Sequence, residues 1–327
     1  MKILILVNSG LEEISKTEVE EQFNVKVELL NNVLIVNDLP GSKEDLIPKL
    51  RKLQSVRRVL VYLGKSKDIE NYEFKDELIF DFFNDNQSFK IEVENVKGND
   101  NRMEIAKTVA GKFYAFLDTK KVQPKLDLKK PDLLIDVYFN GKEYFMGIDL
   151  FGTEINTRGY RVFSHPASFK GDLAYFFVRK SGYSAGKKML VGFSKDGTIA
   201  IEAALFSKEK ISAFDPSRQN ITAARKNTHL AGVKELVDFQ KYSLDELDVR
   251  YSESEFDNII FQITTKDEET INEIIYQTKY ILKSNGKLML ITRESFSLPI
   301  LSNFESLEVS TIRRGESVIK MSLLKKK

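Results

Sequence analysis

From about Phe163 to the C-terminus, short apolar runs alternate with amphipathic stretches of helical spacing, and this alternation leaves few folds open. Met189–Phe193, Ile211–Asp215, Leu236–Lys241, Asp257–Gln262 and Lys287–Thr292 are of strand length. Gly171–Lys180, Thr198–Ser207, Ser217–Ala231 and Thr270–Lys283, which lie among them, predict helices. Parallel neighbours in a sheet need a crossover, and a helix supplies it, so the pattern predicts a doubly wound, mostly parallel sheet. Leu307–Arg313 and Ser317–Leu323 follow with no helix between them and predict an antiparallel hairpin at one end.

The N-terminal half is organised differently. Lys2–Val7 predicts a strand and Gly10–Phe23 a helix, with Leu11, Ile14 and Val19 on its apolar side. Val25–Leu30 and Asn32–Val36 predict a hairpin, Lys43–Leu53 a helix and Arg57–Leu63 a closing strand. The order βαββαβ is that of a ferredoxin-like unit over residues 1–63. Lys65–Glu73 is polar and predicts a linker; Phe74–Asn84 predicts a short helix and Ser88–Val96 a strand. Met103–Leu117 predicts a helix with Ile105, Val109, Phe113 and Phe116 on one stripe. Leu133–Phe139 and Lys142–Asp149 form a strand pair across Asn140-Gly141, a strong hairpin signal.

Composition narrows the chemistry. The absence of Cys excludes disulfides, thiolate zinc sites and cysteine nucleophiles, and two His make a His-rich metal site a poor expectation. The net charge of +2 excludes a uniformly basic coat but not a local basic face. Apolar runs such as Ile3–Val7 fall far short of the roughly 20 residues of a membrane span. A soluble, cytoplasmic protein with no membrane partner is the expectation.

Three phrases carry a resemblance: NSGLEEISKTEVEEQF near the N-terminus, Arg158-Gly159-Tyr160-Arg161, and His165-Pro166-Ala167. With LVGFSKDGTIAIEAAL, AFDPSRQNITAARKNTHLAGV and LKSNGKLMLIT in that order, the chain resembles the THUMP-domain RNA methyltransferases that act on guanine N2 of tRNA or ribosomal RNA. The resemblance covers nearly the whole chain. It implies an α/β protein with a ferredoxin-like N-terminal domain over residues 1–63, a THUMP RNA-binding domain over 64–152 and a Rossmann-like class I methyltransferase domain over 153–327.

The resemblance also places the site, and there the motifs depart from the family. The family's first loop, roughly Asp-Pro-Phe-Cys-Gly-Ser-Gly-Thr, aligns with Val191 to Thr198. Phe193, Gly197 and Thr198 match; Ser194 stands for the Cys, and Lys195 for a glycine in space the family leaves to S-adenosylmethionine (SAM). The acid that takes the ribose hydroxyls aligns with Ala213, with Asp215 two residues later. At the adenine-contacting acid the chain reads Tyr242-Ser243, with Asp245 slightly downstream. The catalytic Asn or Asp followed by two prolines and an aromatic becomes Gln262-Ile263-Thr264-Thr265, so Gln262 is the catalytic candidate and the stacking ring is lost.

The cofactor-binding candidates are thus Phe193, Gly197, Thr198 and Asp215. Lys and Arg cluster between residues 90 and 130, and Lys90, Arg102, Lys107, Lys112 and Lys125 are the RNA-binding candidates there, with Arg158 and Arg161 at the junction able to face RNA or to pair with acids. His165 marks either a wall of the cofactor pocket or a structural turn, and Glu202 predicts a helix-surface or capping group. Together these changes predict a tRNA-binding protein, or one for other structured RNA, whose methyltransferase-shaped domain has lost SAM binding and catalysis. Such a pseudoenzyme needs no cofactor and could serve as the non-catalytic subunit of an active methyltransferase. The alternative is an active SAM-dependent guanine-N2 methyltransferase with a divergent site, using Gln262 and Asp215. A third reading is a scaffold that binds protein alone.

Overall fold

A computed structural model describes residues 1–264, 267–293, 303–314 and 317–327. Two compact units divide the chain, Met1–Ile155 and Asn156–Lys327.

The first unit is built on one sheet. β1 (Ile3–Leu6), α1 (Glu12–Phe23), β2 (Glu28–Leu30), β3 (Val33–Val36), α2 (Lys43–Leu50) and β4 (Arg58–Ser66) give the expected βαββαβ order. Their strands lie in the order β2-β3-β1-β4 with antiparallel neighbours, the ferredoxin-like arrangement. Next come β5 (Ser88–Glu94), α3 (Asn99–Asp118), β6 (Lys125–Leu126), β7 (Leu133–Phe139) and β8 (Tyr144–Asp149). They continue the same sheet as β4-β8-β7-β5-β6, because β4 pairs antiparallel with β8 from Leu60 to Ser66. The strand therefore runs through residues 63 and 64, and the polar start of the expected linker is its last turn of pairing. The expected helix over Phe74–Asn84 is a correction. Only Glu77–Asp81 turns helically, as a short 3-10 segment. Tyr72, Phe74, Ile79 and Phe83 each drop into the core beside Phe89 and Phe113, and no single helix face could present all of them.

The sheet curls, so both of its faces are covered. One face holds Ile3, Ile5, Val19, Leu46 and Val59, and further along Ile91, Val109, Ile135 and Val137. The other holds Leu4, Leu6, Leu60, Tyr138 and Phe145. Asn31 Nδ2 donates to the Asn140 carbonyl at 2.9 Å, tying two hairpin tips across that second face. The same face buries an ionic cluster: Arg58 lies 2.5 Å from Asp149, 3.0 Å from Glu94 and 3.8 Å from Asp136. Burial pushes the Asp136 carboxyl well above the usual carboxylate range, against the pull of Arg58.

The second unit holds α4 (Gly171–Lys180), β9 (Met189–Gly192), α5 (Thr198–Ser207), β10 (Ile211–Phe214), α6 (Arg218–Leu230), β11 (Val237–Gln240), α7 (Leu247–Arg250), β12 (Phe256–Gln262), α8 (Glu268–Ile281), β13 (Leu282–Arg293), β14 (Phe304–Arg314) and β15 (Ser317–Lys326). The strand order is β11-β10-β9-β12-β13-β15-β14. β11 to β13 run parallel, and β15 is antiparallel to both β13 and β14. This is the doubly wound sheet and terminal hairpin the alternation predicts. Chain order reverses between β9 and β12, and in such sheets ligands bind outside the carboxyl ends of the strands at that switch point. Among the described residues, no helix is long and apolar enough to cross a membrane.

Candidate active site

Two loops frame the switch point. After β9 the chain passes through Phe193 at φ 55°, Lys195 at φ 51° and Gly197 at φ 84° before α5 begins. Only glycine fits at Gly197: a Cβ there would lie 2.7 Å from the Phe239 ring and 3.0 Å from the Ala224 Cβ. Phe193 is held by ring contacts to Phe214 and Phe261, at the ends of β10 and β12. It is thus a wall of packed rings. Thr198 caps the turn, its N–H and hydroxyl both donating to Asp196 Oδ1 at 3.2 and 2.7 Å.

Asp215, just past β10, is 3% exposed and turns its carboxylate onto this loop. Its Oδ2 accepts from Lys195 N at 2.9 Å, and its Oδ1 accepts from Ser217 N at 2.9 Å and Asn220 Nδ2 at 3.0 Å. A carboxylate has about four lone-pair sites, so Asp215 keeps capacity for a further donor. A carboxylate thus stands on this loop at Asp215, while Ala213 lies in the core of the sheet. At the third strand the pattern does change: Tyr242 is buried and stacked on Phe214, and Asp245 faces solvent.

Gln262 ends β12 in the crevice. Its Nε2 donates to the Ala167 carbonyl, and its own carbonyl accepts from Lys195 Nζ at 3.2 Å. Among the described residues its Oε1 accepts no hydrogen bond; Thr265, the last residue of the expected motif, lies outside them. Lys195 therefore spans the crevice from the end of β9 to the end of β12. Burial pushes its amine below the ordinary lysine value, opposed by the charges of Asp215 and Asp196. Two hydroxyls in these loops, Ser194 Oγ and Ser168 Oγ, are buried without a hydrogen-bond partner. Buried polar atoms are rarely left so.

The junction arginines are a correction. Arg158 Nε lies 2.7 Å from Glu202 Oε1, and Arg161 Nη2 lies 3.0 Å from Asp196 Oδ2. Both acids are fully buried, so the two guanidiniums are committed inside the unit and cannot reach RNA phosphates. Glu202 is accordingly neither a surface group nor a cap: it also accepts from the Tyr160 hydroxyl at 2.6 Å. His165 is a structural turn. Its Nδ1 accepts from Ala167 N at 3.0 Å, and its N–H donates to Asp196 at 3.2 Å. Its turn also lines a cavity of about 780 Å³ beside α6 with Phe163, Asn220 and Lys226.

Sequence reasoning passed over Asn227. It is buried in α6 and bonds to the N–H and carbonyl of Phe163 and to the carbonyl of Asp196, holding the junction against the first loop. The signal was legible: Ile221, Ala224 and Asn227 share the buried stripe of α6, and an amide on an apolar stripe needs partners.

The basic candidates of the first unit divide in two. Arg102 and Lys107 on α3 are exposed and line a groove of about 580 Å³ floored by Ile91, Met103 and Ala106, and Lys125 on β6 is exposed outside its lining. Lys90 also lines it but pairs with Glu92 at 3.1 Å. Lys112 points elsewhere and donates to the Glu70 carbonyl at 2.7 Å.

Two family models match this chain. The THUMP domain model covers residues 75–149, and the RMKL-like methyltransferase domain model covers residues 158–316. The fold and its crevice are thus those of a THUMP domain followed by a Rossmann-like methyltransferase domain. Among curated proteins, the chain is 24% identical to a tRNA (guanine(6)-N2)-methyltransferase of Methanocaldococcus jannaschii, over 90% of this chain and 91% of that protein. It is 27% identical to the protein of the same name from Archaeoglobus fulgidus, over 87% of this chain and 81% of that one. The crystal structure of TrmN from Thermus thermophilus superposes with a TM-score of 0.77 at 17% identity, covering 100% of this chain and 99% of that one. These full-length relatives, both named for the activity, overturn the expectation of a methyltransferase shape emptied of its reaction. Lys195 and Ala213 differ from the family's motif, whereas the fold brings the Asp215 carboxylate onto the first loop.

Proposed function

We propose that this protein is an active SAM-dependent tRNA methyltransferase that modifies the exocyclic N2 of a guanine. The observation that carries this reading is the near full-length similarity to two proteins named for that activity. The crevice at the switch point agrees with it. When bound, SAM supplies an electrophilic methyl group on a sulfonium. The residues present fit such a donor: Asp215 keeps acceptor capacity for a ribose hydroxyl, Ser194 and Ser168 offer unpartnered hydroxyls, and Lys195 offers positive charge.

Gln262 acts on the guanine. Its amide is fixed through Nε2 to Ala167, which aims Oε1 at the crevice as an acceptor for the exocyclic amine. Holding one amine N–H in place orients the nitrogen for attack, and positioning of this kind is the main lever in methyl transfer. Arg102 and Lys107, at the groove of the THUMP domain, and the exposed Lys125 are available to neutralise tRNA phosphates.

The test is transfer of labelled methyl from SAM to unmodified tRNA, followed by digestion to nucleosides. Label recovered as N2-methylguanosine is the expected result. No label above the enzyme-free control, from protein that binds tRNA, would overturn the reading. Gln262→Ala removes the acceptor and should lower kcat/KM by about 100- to 1000-fold.

A further inference from the structure

Lys195 is a buried cation whose amine directly touches a neutral carbonyl and, among the described residues, no carboxylate. It is 5% exposed, and its ammonium has three donor hydrogens. One is taken by the Gln262 carbonyl at 3.2 Å, and among the described residues Lys195 makes no ion pair within 4.0 Å. The two nearby carboxylates attract the amine from beyond ion-pair distance and already accept from other donors. Asp196 accepts from Arg161, the His165 N–H, and the N–H and hydroxyl of Thr198. Asp215 accepts from Lys195 N, Ser217 N and Asn220 Nδ2. A buried ammonium with one neutral acceptor is costly to keep, and an anionic partner in the same crevice would offset that cost. The unpartnered Ser194 Oγ is on the adjacent residue, and Ser168 follows Ala167, whose carbonyl holds Gln262.

We infer that Lys195 binds the α-carboxylate of the methyl donor. This rests on the methyltransferase reading and names a residue that sets donor specificity. The adenosine end of the donor then lies toward Asp215 and the amino-acid end toward Lys195, with the ammonium exchanging the Gln262 carbonyl for the carboxylate. A glycine at this loop position could offer only backbone to the amino-acid end; Lys195 reads it by charge.

The opposite reading is that Lys195 merely fills the crevice and obstructs the donor, and the two predict effects of opposite sign. The test is calorimetric titration of the full chain with S-adenosylhomocysteine and with 5′-methylthioadenosine, which keeps the adenosine and thioether but lacks the carboxylate. Lys195→Met keeps most of the packing volume and removes the charge; Lys195→Ala serves as the second variant. Both variants should lose affinity for S-adenosylhomocysteine by about 10- to 100-fold, the worth of one charge-assisted contact, with 5′-methylthioadenosine within about twofold of the parent. Unchanged or tighter binding of S-adenosylhomocysteine in both variants would overturn the inference and establish obstruction. Equal losses for both ligands would overturn it in favour of a structural role. A parent chain that binds neither ligand would overturn the donor reading as well as this inference, and that outcome is distinct from the other two.

Discussion

The carboxylate of Glu202 is fully buried, yet it takes a guanidinium from Arg158 and a hydroxyl from Tyr160, so a single residue fixes the junction to α5. Removing one partner of a buried pair strands the other. Glu202→Ala should therefore cost about 3–5 kcal/mol in urea denaturation, and Glu202→Gln less, because the amide still accepts. Asp136 makes the converse case. Its raised proton affinity in the native state gives stability that is full at low pH and is lost as pH rises through the native value. Asp136→Asn lacks that loss, so its Tm relative to the parent should climb in thermal melts as pH rises above the ordinary carboxylate range; a flat difference would refute it. Neither role could be read from the sequence. Asp136 alternates with Ile135 and Val137, so the strand pattern sends it to the opposite face, ordinarily solvent. Only the curl of the sheet buries it.

At the scale of elements, α3 and the Asn140-Gly141 hairpin follow directly from their sequence signals, because local period and turn chemistry decide them. The segment between β4 and β5 does not, since its apolar residues are placed by the core they fill rather than by a repeat. The same distinction sorts the lysines. Arg102→Ala and Lys107→Ala, on the exposed side of α3, should each weaken tRNA binding and lower the slope of log affinity against log salt by about 1. Lys112→Ala should leave that slope unchanged, because its amine is engaged with the Glu70 carbonyl. Filter binding at several salt concentrations separates these outcomes.

The whole chain consists of two compact units, each with its own buried clusters. Calorimetry should show two thermal transitions. Glu202→Ala should lower only the one belonging to Asn156–Lys327, and saturating S-adenosylhomocysteine should raise that same transition, because ligand binding stabilises the unit that holds the site. The sequence by itself determined the doubly wound sheet, the ferredoxin-like order and the family resemblance, because these rest on local period and on motif order. It did not determine the fate of the charges. Whether Asp215 turns onto the first loop, whether Arg158 and Arg161 pair with buried acids, and where Lys195 puts its amine depend on which groups meet across loops far apart in the chain. Electrostatic pairing is short-ranged and is set by burial, so the tertiary structure alone decided it.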